Sequence, residues 1–215
     1  MILSIGRSYV FIHIPKTGGT SLALALEDRA MKDDIMLGDT PKAKRRRHRV
    51  KGVASRGRLW KHSTLADIEG LVDKEVLAGL FAFTLVRNPW DRAVSYYHWL
   101  REQKFSHKAV DLARSLSFGD FVAHDLICAS FRSHPAGRYM RASDGIEHCD
   151  AFIRIEHFEQ DAVPLADHLG FDLVLQIANA SERKDDFRQY YTEKTAGIVA
   201  DCCAEDIARF NYTLE

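Results

Sequence analysis

"YVFIHIPKTGGTSLALALE", residues 9–27, is the stretch on which the fold turns. Its first six residues are an apolar run rich in β-formers, which reads as a buried strand. "PKTGG" follows as a loop in which Gly18 and Gly19 permit a tight backbone path. A helix then opens at Thr20 or Ser21 and continues through "SLALALEDRA". Strand, glycine loop and helix together make a natural anion cradle. Backbone N–H groups point outward from the helix start, and the dipole adds about half a positive charge there. Lys16 supplies a full charge, and the hydroxyls of Thr17, Thr20 and Ser21 supply further donors. In nucleoside-triphosphate loops, G-x-x-x-x-G-K-[ST], the lysine and the metal-binding hydroxyl follow the last glycine. In "PKTGGTS" the lysine comes first. That order disfavours a metal-dependent triphosphate site and favours one phosphate-like group approached by a lysine. A plain Gly-Gly turn with a solvated Lys16 is the alternative, and the loop alone does not separate the two.

A second strand, "FAFTLV" at 81–86, runs into "RNPWDRAVSYY", where Asn88 suits a helix cap and Pro89 the first helical position. Arg87 stands at the strand's end, and Arg92 and Ser95 share a face of the helix. A guanidinium beside a helical hydroxyl makes a second anion site, since its planar fork donates two bonds at once. Ion pairing of Arg87 and Arg92 with Asp91 or other acids is the competing reading. "AFIRI", 151–155, is a third strand, followed by a helix ending at Gly170. Strands alternating with helices predict one α/β domain, residues 1–215, with a mainly parallel sheet.

Elsewhere the signals are weaker. Residues 40–58, "TPKAKRRRHRVKGVASRGR", hold nine Lys or Arg without apolar periodicity and read as an exposed loop. "HSTLADIEGLV" reads as a short helix capped by Ser63 or Thr64, with Asp67 in its first turn. Residues 117–129 read as helix, and so does Thr192 to Phe210, where Ile198, Val199, Cys202 or Cys203, Ile207 and Phe210 share a face.

The paired motifs resemble those of the sulfotransferases that use 3′-phosphoadenosine 5′-phosphosulfate (PAPS). "PKTGGTS" is similar to their 5′-phosphosulfate loop, and "RNPWDRAVSYY" to their 3′-phosphate motif, R-[DN]-P-x-x-R-x-x-S-x-Y. "KHSTLADI", "FIRIEHFEQD" and the tail from "NASERK" onward fit the order of elements in the carbohydrate-directed branch, so the resemblance covers nearly the whole chain. It implies a P-loop-like three-layer fold and PAPS as donor, leaving the bisphosphate PAP. Lys16, Thr17, Gly18, Gly19, Thr20 and Ser21 would hold the 5′ end, with Lys16 facing the bridging oxygen. Arg87 and Ser95 would hold the 3′-phosphate, and Ser181 and Arg183 lie in a region that closes over the donor in relatives. The acceptor that the resemblance implies is a hydroxyl, saccharide in character by that branch.

Sulfuryl transfer is a loose in-line displacement in which the protein mainly positions groups and stabilises charge on the leaving oxygen. The acceptor hydroxyl needs a base. His62 stands between the two motifs, in a region where this branch uses a residue that is often His. His13, on the first strand, is the rival and also reads as a buried core histidine. The basic run "KAKRRRHR" reads as solvated, as folded over the donor, or as attracting an anionic glycan. A kinase with a modified phosphate loop and a nucleic-acid binder using the basic run are the readings that compete with a sulfotransferase. The first needs a lysine and a metal-binding hydroxyl after the last glycine, an order that "PKTGGTS" lacks, and the second leaves both phosphate motifs unexplained.

Composition narrows the classes further. Thirty basic and thirty acidic residues leave no net charge to point at nucleic acid or membrane. No run approaches eighteen apolar residues, and no secretory leader is apparent. Cys128, Cys149, Cys202 and Cys203 lack C-x-x-C spacing and fit a reducing cytoplasm. No His, Cys or Asp cluster has metal-ligand spacing.

Overall fold

The computed structural model describes residues 1–175 and 186–214. In chain order the strands are β1 (Ile2–Ser4), β2 (Tyr9–Ile12), β3 (Ile35–Met36), β4 (Phe81–Val86) and β5 (Ala151–Arg154). Between β2 and β4 lie the helices α1 (Gly19–Asp28), α2 (Pro41–Arg46) and α3 (Lys74–Ala78). Between β4 and β5 lie α4 (Pro89–Glu102), α5 (Lys108–Ser115), α6 (Phe118–Ala123), α7 (Asp125–Ser133) and α8 (Ala136–Tyr139). After β5 come α9 (Phe158–Asp161), α10 (Val163–Leu169), α11 (Glu193–Cys202) and α12 (Ala204–Phe210). The chain forms two compact units, Met1–Val86 with Ala136–Asn179, and Arg87–Pro135 with Ala180–Glu215.

The first unit holds the whole sheet, in the order β3-β1-β2-β4-β5. β2, β4 and β5 are mutually parallel, as the strand–helix alternation predicts, with Ile12 opposite Thr84 and Val86 opposite Arg154. β1 and β3 pair antiparallel and extend this parallel core at one edge, so the sheet is mixed. These two strands are three and two residues long, too short to show a periodicity in the sequence. One sheet face carries Tyr9, Phe11, Phe83, Leu85 and Ile153, packed with Leu22 and Leu26 of α1 and Leu165 of α10. Each such side chain contributes about 1.5–3 kcal/mol when fully buried. The residues of opposite parity, Val10, Ile12, Ala82 and Thr84, are buried too. A strand buried on both faces reads as a continuous apolar run, and both "YVFI" and "FAFTLV" do.

Residues 40–58 are not a plain loop. Thr40 caps α2, accepting a hydrogen bond from Ala43 N–H at 3.4 Å, with Pro41 at the first helical position. Buried Glu27 at the end of α1 accepts from the Thr40 hydroxyl, from Lys42 N–H at 2.9 Å and from Ala43 N–H at 3.2 Å. Arg46 donates to Met31 O at 2.7 Å and Arg49 to Lys32 O at 2.5 Å. Part of the basic run therefore satisfies carbonyls after α1, while Arg45 and Arg47 stay exposed. The helix expected after Thr64 is one 3₁₀ turn, Ala66–Ile68. Its cap is as expected: Thr64 N–H donates to Asp67 at 2.8 Å, and Asp67 N–H to the Thr64 hydroxyl at 3.2 Å.

The second unit is helical. Asn88 caps α4, taking a hydrogen bond from Trp90 N–H at 3.0 Å and donating its amide to Thr213 O at 2.8 Å. Pro89 occupies the first turn, as its fixed φ favours. The Trp90 indole donates to Ala196 O in α11 at 3.0 Å. The helix expected over 117–129 breaks at His124, and the C-terminal one breaks at Cys203. Cys128 and Cys202 are buried, and none of the four cysteines is in a disulfide. Burial pushes the Cys202 thiol up to about 11 and that of Cys203 up to about 12, so both stay protonated.

Candidate active site

The loop after β2 explains each of its glycines separately. Lys16 has φ +67° and Gly18 φ +83°, so two left-handed residues stand within three positions. Such a curl gathers successive N–H groups into an anion-binding concavity. For Lys16 the left-handed conformation costs about 1–2 kcal/mol, and strain of this kind collects at ligand sites. Gly18 is confined twice, because a Cβ there would also run into Ile155 Cδ1. Gly19 is already helical; it must be glycine because a Cβ would enter the His13 ring.

α1 opens at Gly19, one position before Thr20, the earlier of the two expected openings; Gly18 is its cap residue, and no side chain caps the helix. An uncapped start leaves N–H groups for a ligand. No acidic residue lies in the first turn to compete for them. Thr17 does not present a free proton. It is buried, and its hydroxyl donates to Ile14 O at 2.9 Å, folding the loop back on the strand. Ser21 is buried as well, while Lys16 and Thr20 are partly exposed.

His13 and His62 meet beside this loop. Their rings pack edge to face at 4.7 Å, and the His62 Nδ1 lies 2.7 Å from His13 O. A carbonyl only accepts, so Nδ1 carries the proton and Nε2 keeps its lone pair. Burial, then the neighbouring Lys61, pulls His62 down to about 3, against the partial rescue of its bond to His13. His13 is buried and held well below the ordinary range by burial first and His62 second. Both rings are neutral at physiological pH. His13 lies one residue past the end of β2 and packs against Phe11 at 5.8 Å, a core position.

The sequence alone did not reveal what stands next to His62. The Trp60 ring lies 5.0 Å from it at 84°, and the Arg58 guanidinium lies 5.2 Å from the Trp60 ring. The signal was available in "RLWKH", where three functional side-chain types alternate, but alternation over five residues has no meaning until the turn is known.

In the second unit, Arg87 follows the last residue of β4. Its Nε donates to Asp91 at 2.7 Å and its Nη2 lies 2.6 Å from the same carboxylate. Arg92 Nη1 is 4.0 Å from buried Asp206. The ion-pair reading of these arginines is thus realised, and it also orients the Arg87 fork. Ser95 is buried on α4. Ser181 and Arg183 lie outside the described residues.

A cavity of about 420 Å³ lies elsewhere in the first unit, lined by Phe81, Ala82 and Asp150 among others. These residues start β4 and precede β5, so the cavity is at the opposite edge of the parallel strands from the Lys16 loop. Among the described residues no group of three His, Cys, Asp or Glu side chains could hold a metal ion. No described helix is long and apolar enough to cross a membrane.

A family model described as the sulfotransferase family matches residues 6–212. No curated protein matches the chain. Among solved structures, the chain is similar to mouse sulfotransferase SULT7A1 complexed with PAP, at 18% identity and TM-score 0.49, covering 97% of this chain and 87% of that one.

Proposed function

The chain belongs to the sulfotransferase family, and on that premise we propose that it moves a sulfuryl group from PAPS to a saccharide hydroxyl. The observation that carries the proposal is the start of α1. It is an uncapped helix terminus on a parallel strand, with two glycines that admit no side chain and a left-handed Lys16 at its mouth. These groups fit a phosphosulfate, being a strong donor set with no carboxylate in the first turn.

PAPS supplies a sulfuryl group bonded to a phosphate leaving group. Lys16 and the N–H groups of Gly18, Gly19 and Thr20 stabilise negative charge at the 5′ end. Thr17 shapes the loop, and Ser21 lies in the first turn of α1. Arg87, oriented by Asp91, and Ser95 take the 3′-phosphate, with Ser181 and Arg183 as further donor contacts. His62, its Nδ1–H fixed on the His13 carbonyl, offers Nε2 to the acceptor hydroxyl and takes its proton. The exposed Arg45 and Arg47 add attraction for an anionic acceptor. The motif order calls for no metal. The family model runs across both compact units, which supports reading 1–215 as one sulfotransferase domain. Four cysteines outside any disulfide support a cytoplasmic location.

The test is calorimetry with PAP and with AMP. A clear preference for PAP, weakened in Lys16→Ala and in Arg87→Ala, is expected; equal affinity for the two nucleotides overturns the donor assignment. In turnover, Lys16→Ala is expected to lose about a hundredfold, the usual cost of one charge-stabilising donor.

A further inference from the structure

The turn that delivers His62 is built to present its neighbours. Ser63 is fully buried, and its hydroxyl lies 2.8 Å from Arg58 O and 3.0 Å from Trp60 O while accepting from Trp60 N–H at 2.9 Å. Ser63 N–H closes the turn on Trp60 O at 3.2 Å. One buried hydroxyl thus fixes the backbone on which Arg58, Trp60 and His62 stand. The three side chains follow one another in contact, and the last is held on His13.

Trp60 nevertheless keeps 42% of its surface exposed, although an indole is among the costliest side chains to leave in water. Arg58 is exposed, and among the described residues its guanidinium has the Trp60 ring as a neighbour and no ion pair with an acid. By contrast, nearby Lys61 is paired with Asp39 at 2.6 Å. An exposed aromatic face, an exposed cation and a neutral imidazole with an available Nε2 therefore stand in a row.

We propose that Arg58 and Trp60 are acceptor-positioning residues, selecting a saccharide that carries an anionic group. The apolar face of a pyranose lies on the indole, its carboxylate or sulfate pairs with the Arg58 fork, and a ring hydroxyl meets Nε2 of His62. This rests on the reading of His62 as the base. A phenolic acceptor is the competing occupant of an indole. Apolar aromatic ligands are held in concave, mostly apolar enclosures, whereas Trp60 is open and flanked by charged side chains. An open platform with a cation beside it suits a hydrated ring with one apolar face.

The experiment uses the full chain and three probes: a desulfated chondroitin hexasaccharide, which carries glucuronate, neutral cellohexaose, and 2-naphthol. Binding is measured by calorimetry with and without PAP, and KM and kcat are measured with labelled donor. Trp60→Ala is expected to weaken hexasaccharide binding by about tenfold or more, as loss of an aromatic anchor does, with partial recovery in Trp60→Phe. Arg58→Gln is expected to weaken the acidic hexasaccharide about three- to tenfold and leave cellohexaose unchanged. These losses should appear in KM, with PAP affinity unaltered. Unchanged hexasaccharide binding in Trp60→Ala overturns the proposal. So does an equal loss for both oligosaccharides in Arg58→Gln, a preference for 2-naphthol, or absence of saccharide binding by the natural chain. A failure of PAP binding alone strikes the donor assignment and leaves the saccharide measurements to judge this one.

Discussion

Replacing His62 by Asn removes the imidazole's titration and its base while keeping a side-chain N–H to offer the His13 carbonyl. Burial holds His62 at about 3, against an ordinary 6.5. The folded state therefore resists a proton that the unfolded chain accepts. Its contribution to stability is complete above pH 6.5 and is lost progressively as pH falls toward 3. By pH 5 a shift of this size lowers stability by about 2 kcal/mol relative to neutral pH. His62 is only partly buried, and solvent reduces that to about 1–2 kcal/mol. His13, Asp39 and Asp161 are also held low and contribute the same sign of acid sensitivity, but they remain in both proteins. The informative quantity is thus the difference between the two pH profiles. Urea unfolding of the natural chain and of His62→Asn at pH 7, 6 and 5 measures it. The variant should lose about 1–2 kcal/mol less between pH 7 and pH 5. Parallel profiles would refute the claim that the folded protein keeps this ring neutral, and with it the reason for assigning a free lone pair to Nε2.

The remaining predictions concern the frame around that pair. Gly19→Ala forces a methyl into the His13 ring and should destabilise by about 1–3 kcal/mol; in a His13→Ala background the cost should shrink, a coupling that a double-mutant cycle reads directly. Gly18→Ala should be worse and should not be relieved by the His13 change, because its φ of +83° and its Ile155 contact do not involve that ring. Glu27→Ala strands the Thr40 hydroxyl and the N–H groups of Lys42 and Ala43, and denaturant unfolding should show a loss of about 2–3 kcal/mol. Limited proteolysis of that variant should then cut first between residues 41 and 50.

The three parallel strands, the loop at their carboxyl edge, the Asn88–Pro89 helix start and the Gly170 stop were all written locally. Each depends on a few adjacent residues whose backbone preferences do not need the rest of the molecule. The same is true of the tight path after the first strand, set by Gly18 and Gly19, although those residues with Lys16 left an anion site and a plain turn both open. What the folded chain decided was everything set by residues distant in sequence. β1 and β3 exist only because a sheet edge was there to pair with them. The "KAKRRRHR" run becomes helix because buried Glu27 gathers its N–H groups, and a charge pattern cannot disclose an acceptor fifteen residues away. Thr17 turned inward and Arg87 paired with Asp91, although their residue types alone allowed both to face a ligand. The reason Gly19 must be glycine lies in the packing of His13, and the platform beside His62 required a buried Ser63 to fix its turn. Local propensity determines where the chain can bend and pair, and only three-dimensional packing determines which side chains then meet.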